Sequence, residues 1–548
     1  MHYLMPFVVA MVVTMVWLPL LVRLAGRLRI VDHPGERKVH SSPIPRIGGV
    51  AMLIGILVAA LLAIELREQD RWFLAAAGVL VIFGALDDRF NMDYRLKFVG
   101  QLLAVLIVVT FGDVRISTIT LADRVMLPEW ICLPLTVFFL VGITNAINLA
   151  DGLDGLAGGT TFLCLCAVAL LSSVSDQGSC TALSLAFAGA VLGFLRFNTF
   201  PASVFMGDAG SQLLGFAVGV LSVRATQTSV TQVSAAIPIL LLALPIMDTL
   251  SVMVQRMDEG RSPFSPDKNH IHHKLLALGF GHHEAVMVIY VIQALLFILA
   301  YFLRFESDLT ILVVVTAFFA VSILGLRVAA RSGWRVRAAD AAAPAPASAV
   351  SRLLAAIQQP RFLPRASFLA IVFSIVLYAL LITLKAAVLS SDVRTLVMAL
   401  FAVTVVLFLI LRAGPLSLVE KAALYVTATV LVYLDAVIPA SDGFTTILTW
   451  IAVSVAAAAT AVRLRLLNDR RFRVTPLDLI VLFMALVVPS LPGTFDLPRG
   501  GALTIAKLLV FLYAIEMLVS RTEGRAVWVR IAVASVLAGL VIRPFIAF

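Results

Sequence analysis

Charge is scarce in this chain: Asp, Glu, Lys and Arg make up 14% of its 548 residues, against 61% hydrophobic residues. So few charges cannot cover a soluble fold. The composition excludes an ordinary globular domain and indicates a polytopic helical membrane protein. Cysteine is also scarce, four in all. Cys164 and Cys166 stand one residue apart, which on a helix turns them about 200° from each other. That excludes a disulfide or a metal pair between them. Motifs that read RNA or DNA are absent, so nucleic acid is not expected as a partner. The formal charge of +10 then reads as Arg and Lys retained on one side of a membrane. The first apolar segment, 3–22, has no small-residue cleavage site and is expected to remain as a first span rather than leave as a signal peptide.

Apolar runs long enough for a hydrocarbon core of about 30 Å number about eighteen, about eleven before an Ala/Pro-rich stretch and about seven after it. The expected fold is therefore all-α. Residues 1–326 form one membrane unit, 327–366 a basic linker, and 367–548 an accessory membrane unit. Basic residues concentrate after odd-numbered runs, at Arg23–Arg46, Arg256–Lys274, Arg327–Arg365 and Arg463–Arg473. By the positive-inside rule these loops are cytoplasmic and the N-terminus lies outside.

Polar residues collect at span ends on that same side. Asp87 and Asp88 close one run, with Lys97 and Gln101 opening the next. NAINLADGLDGLAGG (Asn145–Gly159) carries Asn148, Asp151 and Asp154. FNTFPASVFMGDAGS (Phe197–Ser211) carries Phe205 and Asp208, and PDKNHIHHK (Pro266–Lys274) carries His270, His272 and His273. Any one of these could be a helix cap or a solvated loop. Four of them at equivalent ends ask for a common ligand, because carboxylates beside hydrocarbon are costly. Oxygen-only donors suit Mg²⁺ or Mn²⁺, which share their ligands with substrate phosphates. Histidines and basic residues suit phosphate oxygens. Zinc competes for the histidines, but H-x-H-H without Cys or an HExxH helix is a weak zinc pattern. The chemistry these residues indicate is phosphoryl transfer at a membrane surface. A secondary transporter is the competing class, and it would hold its polar groups near the bilayer midplane.

The segments DD…K…Q, NAINLADGLDGLAGG, NTFPASVFMGDAGS and SPFSPDKNHIHHKLL, with the first loop DHPGERKVHSSPIPRIGG (Asp32–Gly49), resemble those of the polyprenyl-phosphate N-acetylhexosamine-1-phosphate transferases, glycosyltransferase family 4. The resemblance spans about residues 1–326. It implies transfer of HexNAc-1-phosphate, GlcNAc by default, from a UDP-sugar to undecaprenyl phosphate with Mg²⁺ and release of UMP. This would start envelope-polysaccharide synthesis, such as O-antigen, at the cytoplasmic face of a bacterial inner membrane. The related phospho-MurNAc-pentapeptide transferases carry three consecutive histidines where this chain has HIHH, which favours the N-acetylhexosamine branch. Matched by motif, Asp208 would bear most directly on the metal, with Asp151 in support. Asp87 and Asp88 would sit at the attacking lipid phosphate. Asn148, Asp151 and Asp154 would face the nucleotide, Phe205 would stack on uracil, and His270, His272 and His273 would hold the diphosphate. Lys38 and Lys97 are candidates for the lipid phosphate. A homodimer and contacts with other envelope-polysaccharide enzymes are further expected partners.

Nothing in 367–548 matches these motifs. It carries Lys385, Asp435, Lys507, Glu516 and Arg530 in or near apolar runs, and Lys507 and Glu516 are not spaced as a helical pair. A regulatory, scaffolding, polymerising or exporting role for this part stays open at this point.

Overall fold

Backbone in lipid has to satisfy its own hydrogen bonds, and runs of this length do so as helices. The computed structural model describes residues 4–32, 43–120, 124–175, 177–227, 233–262, 269–336, 363–386, 391–410, 418–438, 443–465, 475–486, 501–519 and 526–546. Upstream lie α1 (Leu4–Leu28), α2 (Gly48–Ala63), α3 (Glu68–Phe90), α4 (Tyr94–Thr110), α5 (Glu129–Ala150) and α6 (Leu156–Val174). They are followed by α7 (Gly178–Asn198), α8 (Gly207–Gln227), α9 (Ile237–Leu241), α10 (Ala243–Asp258), α11 (Ile271–Ala277), α12 (His282–Phe302) and α13 (Asp308–Arg331). Downstream lie α14 (Leu363–Lys385), α15 (Ser391–Ile410), α16 (Leu418–Val437), α17 (Gly443–Arg465), α18 (Pro476–Leu486), α19 (Gly501–Val519) and α20 (Ala526–Ile546). Two short antiparallel hairpins sit in loops: β1 (Val31–Asp32) pairs with β2 (Ile44–Pro45), and β3 (Thr118–Thr120) with β4 (Arg124–Met126). The protein is all-α and polytopic. Among the described residues eight helices are long and apolar enough to cross a membrane. Others are apolar but shorter, such as α2, so this count falls below the number of runs read from the sequence.

One expected span, 233–254, is broken. α9 ends at Leu241 and α10 begins at Ala243, because Pro245 has no N–H to give the Leu241 carbonyl and its ring crowds that turn. The freed carbonyl accepts from Gln293 Nε2 on α12 at 2.9 Å and from Cys164 Sγ on α6 at 3.4 Å. Membrane helices tolerate proline when a neighbour repairs the ladder in this way. The start of the linker expected at 327 is still helical, since α13 runs to Arg331. Residues 337–362 of that linker lie outside the described residues.

α6 and α7 form the centre, with 89% and 83% of their apolar windows buried, whereas α13 has 11% and presents itself to the surroundings. α8 is buried from Ala209 to Val223. The downstream helices join the upstream ones: Phe297 on α12 meets Phe483 on α18 edge to face at 5.4 Å. Residues from both parts belong to one apolar cluster.

Candidate functional site

The site forms where the last turn of α3 meets the first turn of α8. The Asp88 carboxylate accepts from the backbone N–H of Asp208 at 3.0 Å and of Ala209 at 3.1 Å. It therefore caps α8 from a neighbouring helix, satisfying donors the helix start leaves open. Gly207 has φ +69°, and a β-carbon there would lie 2.3 Å from Asp88 Oδ2. Glycine is required at this point both by backbone conformation and by space. The loop ahead of α8 is stitched to the first hairpin: Phe205 N donates to Pro45 O at 2.8 Å, and Gly48 N and Gly49 N donate to Phe205 O and Met206 O at 3.0 Å each.

Lys97 on α4 makes an ion pair with Asp87 and lies 3.2 Å from Asp208 Oδ2. Asn148, in the last turn of α5, donates to Asp208 Oδ1 at 2.6 Å and to Ser211 Oγ at 2.7 Å. Beneath these groups Gln101, Asn145 and Gln212 form an amide network across α4, α5 and α8. Asp87 also accepts from Met92 N at 2.7 Å. Asp151, at the end of α5, is exposed to solvent, and its carboxylate has no hydrogen-bond partner among the described residues. Arg46 stands 3.9 Å from Asp88 and pairs with Asp32.

The electrostatics follow from four carboxylates set against two cations. Crowding by the surrounding protein atoms, then the neighbouring charges of Asp208, Asp154 and Asp88, raises the Asp151 pKa, a pull that the exposure of its side chain to solvent weakens. Burial does the same for Asp88, to about 7, against the pull of its two backbone hydrogen bonds. Asp87, just beyond its membrane run, is raised to about 6 by burial and by its hydrogen bond to Asp208. Burial alone would raise Asp208 as well, but the bonds from Asp87, Asn148 and Lys97 outweigh it and hold the pKa down. Two like charges about 4 Å apart repel by about 4 kcal/mol at an effective dielectric of 20. A helix cap contributes about 1 kcal/mol. Capping is thus too small a gain to explain the whole group, and a cationic ligand fits the surplus.

The histidine segment closes the other side. α11 carries His272, whose Nε2 lies 2.3 Å from where a β-carbon on Gly152 would be, so a larger residue in the DGLDG loop would have to push the imidazole aside. Asp248 holds this segment: Oδ2 is 2.9 Å from His270 Nδ1, and Oδ1 accepts from Ile271 N at 2.7 Å. The His272 and His273 rings lie with centroids 4.2 Å apart, tilted by 45°. His272 Nδ1 is buried without a partner among the described residues. Beside it a cavity of about 20 Å³, lined by His272, Asp248 and Thr160, has room for one water. Burial, then the nearby His273, lowers the His272 pKa to about 4.

The structure thus brings Asp87, Asp88, Lys97, Asn148, Asp151 and Asp208 together, with Phe205 in the adjoining loop and His272 against Gly152. Two candidates also make bracing contacts. Asp154 accepts from Ala202 N at 2.9 Å and braces one loop against another, and His270 is turned to Asp248. Lys38 lies outside the described residues. Sequence reasoning passed over Arg46, Asp248 and Asn198. Asn198 ends α7, accepts from Gly155 N at 3.0 Å and donates to Val204 O at 2.9 Å. It also passed over His282, which stacks on Phe200 at 4.3 Å. The HH pair in GHHE was the available signal for that contact.

Fold and site together define a multi-pass helical membrane protein with a carboxylate-rich centre at one end of its bundle. The profile of "Glycosyl transferase family 4" matches residues 71–226, which contain all four central carboxylates. A Bacillus subtilis protein named probable undecaprenyl-phosphate N-acetylglucosaminyl 1-phosphate transferase is 39% identical over 290 residues, 52% of this chain and 80% of that protein. The decaprenyl-phosphate N-acetylglucosaminephosphotransferase of Mycolicibacterium smegmatis is 37% identical over 298 residues, 49% of this chain and 73% of its own length. The undecaprenyl-phosphate alpha-N-acetylglucosaminyl 1-phosphate transferase of Escherichia coli K12 is 33% identical over 282 residues, 50% and 76%. This chain belongs to glycosyl transferase family 4.

Proposed function

We propose that the protein transfers GlcNAc-1-phosphate from UDP-GlcNAc to undecaprenyl phosphate, releasing UMP and starting a lipid-linked envelope polysaccharide such as O-antigen. The observation that carries this reading is the meeting of Asp87, Asp88, Asp151 and Asp208 around Lys97 at one end of a family 4 membrane bundle. The names of the relatives support the polyprenyl phosphate acceptor and the GlcNAc-1-phosphate group transferred. In the reaction an oxygen of the lipid phosphate attacks the phosphorus that bears the sugar. The bond from that phosphorus to the bridging oxygen breaks, and UMP leaves with the electron pair. The attacking group needs little help from a base, because a phosphate monoester is largely ionised near pH 7, its second pKa being about 6. In this reading Asp87 and Lys97 position the lipid phosphate, and Asp88 acts by fixing the start of α8. Asn148 orients Asp208, Phe205 stacks on the base, and His272 and His273 face the diphosphate.

The donor set fits a magnesium ion. It is oxygen-only, Asp151 is unengaged, and Asp208 is the carboxylate kept ionised. Among the described residues no three His, Cys, Asp or Glu side chains form a metal cage. Mg²⁺ typically uses one or two carboxylates with waters and substrate phosphates, so Asp208 and Asp151 would suffice to hold it. When bound it would offset the charge of two meeting anions. The reading places the enzyme in a bacterial inner membrane, with this site at the cytoplasmic face and the N-terminus outside. It also treats residues 1–326 as the transferase unit and 367–548 as a second unit. The test is assay of the purified chain with Mg²⁺, undecaprenyl phosphate and a panel of UDP-HexNAc donors. UMP and a diphosphate-linked lipid are expected. Release of UDP, or no lipid product from any donor, would overturn the reading.

A further inference from the structure

The aligned stretch is 80% of the Bacillus subtilis relative but 52% of this chain, so this chain is the longer one and has helices to account for. Two groups of charges in those helices are matched among themselves. Asp435 on α16 takes Lys507 at 2.6 Å and Lys385 at 3.3 Å, and Glu420 takes Arg530 at 2.6 Å. Glu516 on α19 differs: it reaches out of the downstream helices to Arg196 on α7. The guanidinium lies 4.3 Å over the Tyr425 ring and donates to the Tyr425 hydroxyl at 3.0 Å. That hydroxyl donates in turn to the same Glu516 carboxylate. Phe197, the next residue, meets Tyr425 edge to face at 6.4 Å. Arg196 is 13% exposed and Glu516 36%, so the guanidinium is the sheltered partner, and losing its carboxylate leaves a mostly buried charge without its counter-ion.

What lies beyond Arg196 gives the contact its meaning. Two residues on, Asn198 holds Gly155 of the DGLDG loop and Val204 of the loop that leads to Asp208. The last turn of α7 is therefore gripped by the downstream helices on one side and grips both nucleotide-side loops on the other. We propose that Glu516 is a positioning residue. Through Arg196 it fixes the last turn of α7, so that Asn198 keeps the two loops in register, and the downstream helices act in the nucleotide-sugar half of the reaction. The lipid-phosphate half, Asp87 and Lys97 on α3 and α4, is not touched by this contact. The inference rests on the transferase reading for its kinetics, but not for its structural consequence.

The experiment uses the full chain in detergent with Glu516→Gln, Glu516→Asp and, as a control, Glu420→Gln, whose pair with Arg530 stays among the downstream helices. For Glu516→Gln a rise of about tenfold in KM for the UDP-sugar is expected, with KM for undecaprenyl phosphate unchanged, because a lost positioning contact weakens one substrate's binding selectively. Glu516→Asp should recover part of this, and Glu420→Gln should leave both KM values alone. Amide hydrogen exchange over 152–156 and 199–208 should speed up in Glu516→Gln, whether or not the wild-type chain turns over these substrates. A fall in kcat alone with both KM values unchanged would mean a merely smaller folded fraction and would overturn the proposal. So would the same KM rise in Glu420→Gln, or unaltered exchange in those loops. An inactive wild-type chain with faster loop exchange in Glu516→Gln would sink the substrate assignment and leave the latch standing.

Discussion

α3 and α8 run side by side and are pinned at both ends by aspartate, but the two ends are built differently. At the far end Asp70 is fully buried. One of its oxygens accepts from Arg224 at 2.6 Å and the other from Arg67 N at 2.9 Å. One carboxylate meets one guanidinium, and both oxygens are used. At the site end Asp87, Asp88, Asp151 and Asp208 share Lys97 and a more distant Arg46, and Asp151 takes no hydrogen bond among the described residues. The far end is a closed pair that holds two helices together. The site end keeps an anionic surplus that helix packing does not need.

Substitutions at the two ends should therefore fail in different ways. Asp208→Asn keeps the shape but removes the charge held lowest in pKa. Transferase activity should fall by about 10³-fold or more, as when a main electrostatic stabiliser is lost, with membrane insertion and thermal midpoint near wild type. Wild-type turnover would dissolve the distinction. Asp70→Asn should do the reverse. It strands Arg224 without a counter-charge and costs about 3 kcal/mol of stability, read as a lower thermal midpoint in detergent, while the KM values of the surviving protein stay put. Asp88→Asn lies between. It retains one acceptor for the α8 start, so about a tenfold loss of kcat with about 1 kcal/mol of stability is expected. A loss as deep as that of Asp208→Asn would make Asp88 chemical rather than positional.

The smallest effect concerns protons. Burial first, then the neighbouring histidines, lowers His272 to about 4 from an ordinary 6.5. Between those values the unfolded chain takes up protons that the folded chain refuses, so stability is full above about pH 6.5 and drains as pH falls toward 4. A thermal midpoint dropping by a few degrees over that window is expected, and His272→Gln should shallow the slope. An unchanged slope in that variant would remove His272 from the account.

The sequence made the chemistry more readable than the wiring. Aspartates at the ends of apolar runs stand out because charge there is costly, and Asp87, Asp151 and Asp208 were legible for that reason. The broken span was readable in principle, since Pro238 and Pro245 lie inside 233–254, but mean hydropathy over a window is blind to a missing N–H. Asp154 and His270 carry contacts that motif reasoning does not reveal. They sit in the expected segments, yet their side chains brace loops, because spacing does not say which way a carboxylate in a turn will face. Arg196 and Glu516 are 320 residues apart, and no periodicity connects them.

The surplus at the site end is the claim on which the reading turns, and binding of Mn²⁺ in place of Mg²⁺ measures it directly. Titrated by electron paramagnetic resonance in the presence of UDP, the purified chain should take up about one ion, as a site of one or two carboxylates plus phosphate allows. Asp208→Asn should lose that ion while Asp70→Asn keeps it. Equal uptake by wild type and Asp208→Asn would contradict the account.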